Sequence, residues 1–220
     1  SEFYQSYKIP FWMNTRAETI TEHSAKHLAK MNCLRFNIGI EHGNPKFRKE
    51  ILNRAVSNEK TIKSFQIAAK YSDEYTCVAN NIIGLPTENP ELVFDTINLS
   101  RSLPDETITG GAYIFIPYHG TPLRQLAIDK KYIDSSLICT ESSNTSGSSL
   151  LRMPQFPSDE IDSFMKVFSF YVKFPKKRWS EIEIARKNDA EGKRVFNNLR
   201  EEYSEDYINP TPVTKQFNKG

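Results

Sequence analysis

Cysteine is scarce and scattered in this sequence. Cys33, Cys77 and Cys139 are its only three, and their separation matches no metal-ligand spacing. Each reads as a small buried hydrophobe of a reducing compartment. Long apolar runs are missing as well: none approaches the roughly 18 residues of a membrane-spanning helix. No signal peptide opens the chain, so a cytoplasmic location is expected. Charge of one sign is not in excess. The 29 Lys and Arg against 27 Asp and Glu leave +2, and no basic stripe interleaved with aromatics marks a nucleic-acid surface. The signatures G-x-x-x-x-G-K, G-x-G-x-x-G and G-x-S-x-G are also missing. A chain of 220 residues is nonetheless long enough to bury a core and to form one or two domains. Its start, Ser1-Glu2-Phe3 without methionine, hints at a cut or processed fragment.

What the sequence does have is a repeated strand-to-helix punctuation. In Asn80-Asn81-Ile82-Ile83-Gly84-Leu85-Pro86-Thr87-Glu88-Asn89-Pro90, an apolar run that begins at Tyr75 breaks at Gly84 and Pro86. Asn89 then offers an N-cap and Pro90 a first helical position, where the missing N–H costs nothing. The same grammar recurs over residues 34–43 and 112–120. Strands are expected at 11–15, 34–40, 75–83 and 108–116, with Gly110 and Gly111 marking a bend or close packing in the last. Thr19 and Glu22 have capping-box spacing for a helix that carries Ala25, Leu28 and Ala29 on one face. Further helices are expected at 45–52, at 58–71 with Ile62, Phe65 and Ala69 at core spacing, and at 90–103. Strict alternation implies parallel strands, right-handed crossovers and ligand-binding loops at the carboxyl ends of the strands.

Three regions follow: an α/β unit over 1–133, a loop or linker over 134–156, and a helical extension over 157–220. Residues 134–149 are rich in Ser, Thr, Asn and Gly, and read as a linker rather than a substrate lid. An amphipathic helix is expected at 158–173, with Ile161, Phe164, Met165 and Phe168 on one face, and a second, highly charged helical segment at 179–203. Asn209-Pro210-Thr211-Pro212 reads as a frayed tail.

One strand carries a usable phase. Leu34, Phe36, Ile38 and Ile40 occupy one face of the second strand; Cys33, Arg35, Asn37, Gly39 and Glu41 occupy the other. The apolar face is expected under the outer helices, which leaves Asn37, Gly39 and Glu41 facing inward. An inward carboxylate at a strand tip is expensive unless something uses or neutralises it. Trp12, Asn14 and Arg16 share a phase on the first strand, so Arg16 is the natural neighbour of Glu41. Either the two form a salt bridge or a ligand sits between them. His23 and His27 are four apart, as helical zinc ligands would be, but Ser24 stands where a metalloprotease helix needs glutamate, and a solvent-facing pair is expected. His42 and His119 each follow a strand end and read as rim residues. The basic tract 173–178 reads as a solvated helix end.

These motifs match a known pattern. Ile38-Gly39-Ile40-Glu41-His42-Gly43-Asn44 followed by Phe47-Arg48-Lys49-Glu50-Ile51-Leu52-Asn53-Arg54 resembles the fourth-strand region of radical S-adenosylmethionine enzymes, in the form typical of their cobalamin-binding subgroup. Asn14-Thr15-Arg16-Ala17-Glu18-Thr19 is similar to the end of the family's third strand. Asn81-Ile82-Ile83-Gly84-Leu85-Pro86-Thr87-Glu88 resembles its fifth, and Pro117-Tyr118-His119-Gly120-Thr121-Pro122-Leu123 its sixth. The resemblance covers about residues 10–135. It implies an α/β fold: a partial, TIM-like (β/α) barrel of four parallel strands, the second half of a (β/α)6 core, followed by a mostly helical region. It also implies reductive cleavage of S-adenosylmethionine to a 5′-deoxyadenosyl radical, with a [4Fe–4S] cluster supplying the electron.

By the same resemblance Arg16 contacts the methionine carboxylate and Glu41 the ribose or methionine end. Asn37, Asn81, Ile83, Gly84 and Tyr118 complete the adenosylmethionine contacts, with the backbone around residues 82–85 flanking the adenine, and His42, Tyr113, Phe115 and His119 line a small-molecule substrate pocket. The chain departs from the family in one respect: no C-x-x-x-C-x-x-C loop is present, and scattered cysteines are a poor substitute as cluster ligands. No catalytic residue and no metal ligand is therefore assigned here. The expected reading is a fragment, inactive alone, whose partner is the missing amino-terminal half of the barrel. Its edge beside Trp12 invites self-association. A non-catalytic half-barrel that binds or scaffolds is the rival. An ordinary TIM-barrel enzyme using Glu41 as acid or base needs eight strands and about 250 residues, and only four strands can be placed.

Overall fold

Four parallel strands in the order β1-β2-β3-β4 form one sheet in the computed structural model, which describes residues 6, 7, 9–139 and 148–208. They are β1 (Phe11–Arg16), β2 (Cys33–Glu41), β3 (Thr76–Ile83) and β4 (Ile108–Ile114). The intervening helices are α1 (Glu22–Lys30), α2 (Pro45–Leu52), α3 (Asn58–Ala69) and α4 (Pro90–Arg101), and α5 (Pro122–Asp129) follows the last strand. Three of these helices, α2, α4 and α5, open with a polar N-cap followed by proline. Asn44, Asn89 and Thr121 accept from the backbone N–H three residues on, while the proline contributes no unsatisfied donor.

The sheet has a covered face and an open one. Phe36, Ile38, Ile40, Cys77 and Ala79 are buried beneath Leu28 of α1 and Phe65 and Ala68 of α3. Removing each large side chain from water contributes roughly 1.5–3 kcal/mol. Trp12, Asn14, Arg35 and Asn37 occupy the open face, where Asn37 Nδ2 donates to Asn14 Oδ1 at 2.8 Å and the Arg35 guanidinium lies 5.9 Å from the centre of the Trp12 ring. Cys33 departs from its expected inward position. Phe11 pairs with Cys33 and Trp12 with Arg35, so Leu34 is the extra residue of a bulge, and Cys33 is buried on the covered side. Among the described residues β1 is an edge strand, paired with β2, and Trp12 is 61% exposed.

The helical region is welded to the sheet. It comprises α6 (Ser158–Lys173), α7 (Trp179–Arg186) and α8 (Ala190–Tyr203). One apolar cluster joins Ile83, Leu85, Val93, Ile97 and Phe115 to Phe156, Ile161, Phe164, Phe168, Tyr171 and Leu199. Arg101 of α4 closes the carboxyl end of α6: its Nη1 donates to the carbonyls of Tyr171, Val172 and Phe174 at 2.6, 2.8 and 2.7 Å.

Several boundaries differ from expectation. The charged segment 179–203 is two helices, because Asp189 caps α8 by accepting from Gly192 N at 2.7 Å. The capping box of α1 is Thr21 with Ser24, not Thr19 with Glu22. Thr19 belongs to a 3-10 turn and donates to Arg16 O at 2.7 Å. Of the expected linker, Leu151, Met153 and Phe156 are core residues, and the expected tail 209–212 and residues 140–147 lie outside the described residues. Among the described residues no helix is long and apolar enough to cross a membrane.

Candidate functional site

The carboxyl ends of all four strands open onto one groove of ≈ 730 Å³. The tip of β1 contributes Asn14 and Arg16, the tip of β2 contributes Glu41, and the segment after α2 brings back Asn53 and Arg54. Ile82 and Leu85 from the end of β3, with Phe115 and Leu123 beyond β4, make an apolar wall opposite. The groove is therefore charged at one end and apolar at the other.

Glu41 sits there in a costly backbone conformation. Its φ is +65°, in the left-handed region that non-glycine residues visit rarely, at a cost of about 1–3 kcal/mol. Its side chain lies back across Gly39, where a Cβ would stand 2.3 Å from Glu41 Oε1, so position 39 requires glycine for this arrangement. Arg54 Nη1 donates to Glu41 Oε1 at 2.7 Å. The salt bridge expected between Glu41 and Arg16 is instead made by Arg54, because the turn after α2 returns the chain to the tip of β2. Arg16, exposed at the groove edge, forms no ion pair with any described residue.

The other expected site residues separate into two groups. Phe115 lines the groove. Asn37 lies on the open face below it, donating to Asn14 and accepting from Arg35 Nε at 3.1 Å. Asn81, Ile83, Gly84 and His42 do not line it. Asn81 faces α4, where its Oδ1 accepts from Ser100 Oγ at 3.3 Å and its Nδ2 donates to Gly111 O at 3.2 Å. Ile83 is core, and Gly84, at φ +74°, abuts Ile161 of α6, whose Cγ2 would be 3.0 Å from a Cβ. Tyr113 on β4, and Tyr118 and His119 beyond its end, are exposed and outside the groove lining. Arg54 had no site role in the sequence reading, and the segment 82–85, expected to flank the adenine by its backbone, lines the groove through Ile82 and Leu85. Both faces of β3 are apolar, so its phase carried no signal.

His42 is a correction to the rim assignment. Its ring is fully buried, with Nε2 3.1 Å from Glu88 Oε1. Nδ1 accepts from Asn44 N at 3.0 Å, which leaves the proton on Nε2 to donate to Glu88. Glu88 Oε2 accepts from Leu85 N at 3.0 Å, and burial pushes the Glu88 carboxyl above the ordinary range against these two N–H bonds. His23 and His27 stack with ring centres 4.1 Å apart on the exposed face of α1. Among the described residues no group of three His, Cys, Asp or Glu is arranged to hold a metal.

The cysteines do not fit an iron–sulfur cluster. Cys33 and Cys77 are buried on the covered face, away from the groove, and burial pushes the Cys33 thiol up to about 11 and that of Cys77 higher still. Cluster ligands must be thiolates. Cys139 stands apart, donating to Pro117 O at 3.3 Å.

Residues 4–100 match the family model of the Radical SAM superfamily. Among solved structures the fold is similar to that of Elp3 from the archaeon Methanocaldococcus infernus with its N-terminus deleted, at 15% identity and a TM-score of 0.51, over 80% of this chain and 37% of that one. Coproporphyrinogen III oxidase (HemN) from Escherichia coli, a radical SAM enzyme, matches at 17% identity and a TM-score of 0.41, over 71% of this chain and 38% of that one. The chain thus spans well under half the length of either. No curated protein sequence matches it. The fold is α/β, a partial (β/α) barrel of parallel strands with a mostly helical carboxyl-terminal region.

Proposed function

We propose that this partial radical SAM domain belongs to a radical S-adenosylmethionine enzyme and that the groove at its strand tips takes S-adenosylmethionine. One observation carries the reading: the groove places two guanidinium groups and a carboxylate at one end and an apolar wall at the other. S-adenosylmethionine has a carboxylate and an ammonium at one end and a flat adenine at the other. Arg16 would hold the carboxylate through a charge-assisted hydrogen bond. Glu41, oriented by Arg54, would accept from the ammonium or a ribose hydroxyl. Ile82, Leu85 and Phe115 would flank the adenine. A cluster held by residues outside these 220 would furnish the electron for reductive cleavage of S-adenosylmethionine, and the part of this chain would be to bind and orient that ligand.

Because the cysteines here do not fit a cluster, we assign its ligands to residues outside these 220 and infer that the chain alone performs no radical chemistry. The partner would be the remainder of the barrel, docking along β1. Cobalamin dependence is supported only by the motif around Glu41, His42 and Gly43. A second reading, a half-barrel that binds without catalysis, is favoured by the same cysteine misfit. An intact longer protein that forms an iron–sulfur chromophore anaerobically and releases 5′-deoxyadenosine would exclude it.

Calorimetric titration of S-adenosylmethionine tests the site. The chain is expected to bind weakly, and Glu41→Gln to weaken binding further without lowering the melting temperature. An unchanged dissociation constant in Glu41→Gln would overturn the assignment.

A further inference from the structure

Behind the groove, the tip of β2 and the turn after β3 are joined by buried polar contacts that ligand binding does not call upon. His42 and Glu88, 46 residues apart, are both fully buried and bonded at 3.1 Å. Each also reaches a backbone group at the groove or beside it. Glu88 accepts from the N–H of Leu85, a groove residue, at 3.0 Å. His42 directly follows Glu41 and accepts from Asn44 N at 3.0 Å. The next residue is clamped as well: Gly43 N donates to Thr96 Oγ1 of α4 at 2.9 Å, and Asn58 Nδ2 donates to Gly43 O at 2.9 Å. A Cβ at Gly43 would stand 2.2 Å from Asp95 O, so the loop is seated directly on the α4 backbone.

Fold stability alone gives little reason for a buried ionisable pair. Replacing one by apolar side chains of similar volume is often neutral or stabilising. The groove does give a reason. Glu41 holds a left-handed conformation, and such a residue persists only where its surroundings over-determine it. We propose that His42 and Glu88 are positioning residues. Their hydrogen bond ties the strained tip of β2 to the Leu85 turn, so that Glu41 and the apolar wall keep one spacing and ligand affinity depends on a contact no ligand touches. The affinity part rests on the groove being an S-adenosylmethionine site.

The test compares wild type, His42→Asn and His42→Gln in the 220-residue chain. Glutamine places an amide N–H near the position of Nε2 and keeps the bond to Glu88. Asparagine keeps an acceptor near Nδ1 and loses that bond. Titrated with S-adenosylmethionine, His42→Asn is expected to bind about tenfold more weakly, the loss of one buried hydrogen bond, and His42→Gln to stay close to wild type. The Leu85 amide should exchange with deuterium faster in His42→Asn alone, while amides of central β2 and β3 stay protected. Equal affinity in all three proteins, or equal weakening in both variants in step with melting temperature, would overturn the proposal. If wild type binds no S-adenosylmethionine, the functional reading fails by itself. The exchange comparison then decides the brace: faster Leu85 exchange confined to His42→Asn upholds it, and unchanged exchange overturns it.

Discussion

Two glutamates stand at neighbouring strand tips and live in opposite surroundings. Glu41, at the end of β2, is partly exposed in the groove and paired with Arg54; Glu88, in the turn after β3, is fully buried and paired with His42. A partly exposed carboxylate beside a guanidinium remains open to a further partner. A buried one has both oxygens committed to fixed N–H donors and can only hold the scaffold. In the proposed binding site the two divide the work, one making contacts and the other keeping those contacts in place. Their variants should fail differently.

The largest effect is expected from Glu88→Ala. It strands the Nε2–H of His42 and the N–H of Leu85 in a dry interior, at about 1–3 kcal/mol for each unsatisfied group. Urea denaturation should show a loss of about 3 kcal/mol, and a loss below about 1 kcal/mol would mean the pair is not a structural tie. Next comes Arg16→Ala, whose guanidinium is exposed and makes no ion pair with a described residue. It should raise the dissociation constant for S-adenosylmethionine by about 10- to 100-fold, from a lost charge-assisted contact of about 1.5–3 kcal/mol. The melting temperature should hardly move. A sharp fall in melting temperature with unchanged affinity would make Arg16 a structural residue and erase the contrast with Glu88.

Gly39→Ala sharpens the comparison from the other side. The new Cβ meets the end of a flexible side chain, Glu41 Oε1, so the fold should survive while the carboxylate is pushed off Arg54. Affinity is expected to drop several-fold with a stability change under about 1 kcal/mol. Affinity equal to wild type would show that the Glu41 position does not matter. The smallest effect concerns the thiols. At pH 8 a thiol reagent should modify Cys139, which is partly exposed, while Cys33 and Cys77 stay unmodified until the chain unfolds, because burial holds both as thiols. Fast modification of all three would contradict the buried packing of the covered face.

The contrast between the glutamates also explains what could be read from the amino-acid order. Strand positions and their parallel arrangement were legible because Gly, Pro and a capping Asn or Thr punctuate the junctions after β2, β3 and β4. The open face of β2 was legible because Arg35, Asn37 and Glu41 alternate with Phe36, Ile38 and Ile40. No such alternation exists in β3, where Val78, Ala79, Ile82 and Ile83 are apolar on both faces. There nothing in the order of residues told which of Asn81, Ile82 and Ile83 faces the groove, and of the three it is Ile82 that lines it. Arg54 was not weighed as a partner of Glu41, because Arg16 is near in strand register whereas Arg54 reaches it only once α2 has folded back. The bond between His42 and Glu88 spans 46 residues and carries no local pattern, so it emerges only from the packed structure. The helical region was legible as helices but not as part of the same core, since one amphipathic face does not reveal what will cover it.

The most direct measurement is to map backbone and side-chain chemical shifts of the labelled chain as S-adenosylmethionine is added. Perturbations should gather at Arg16, Glu41, Arg54, Ile82 and Leu85, along the carboxyl ends of the strands. Shifts that instead gather around Thr107 and Lys173 at the opposite end of the sheet, or no shifts at saturating ligand, would contradict the account.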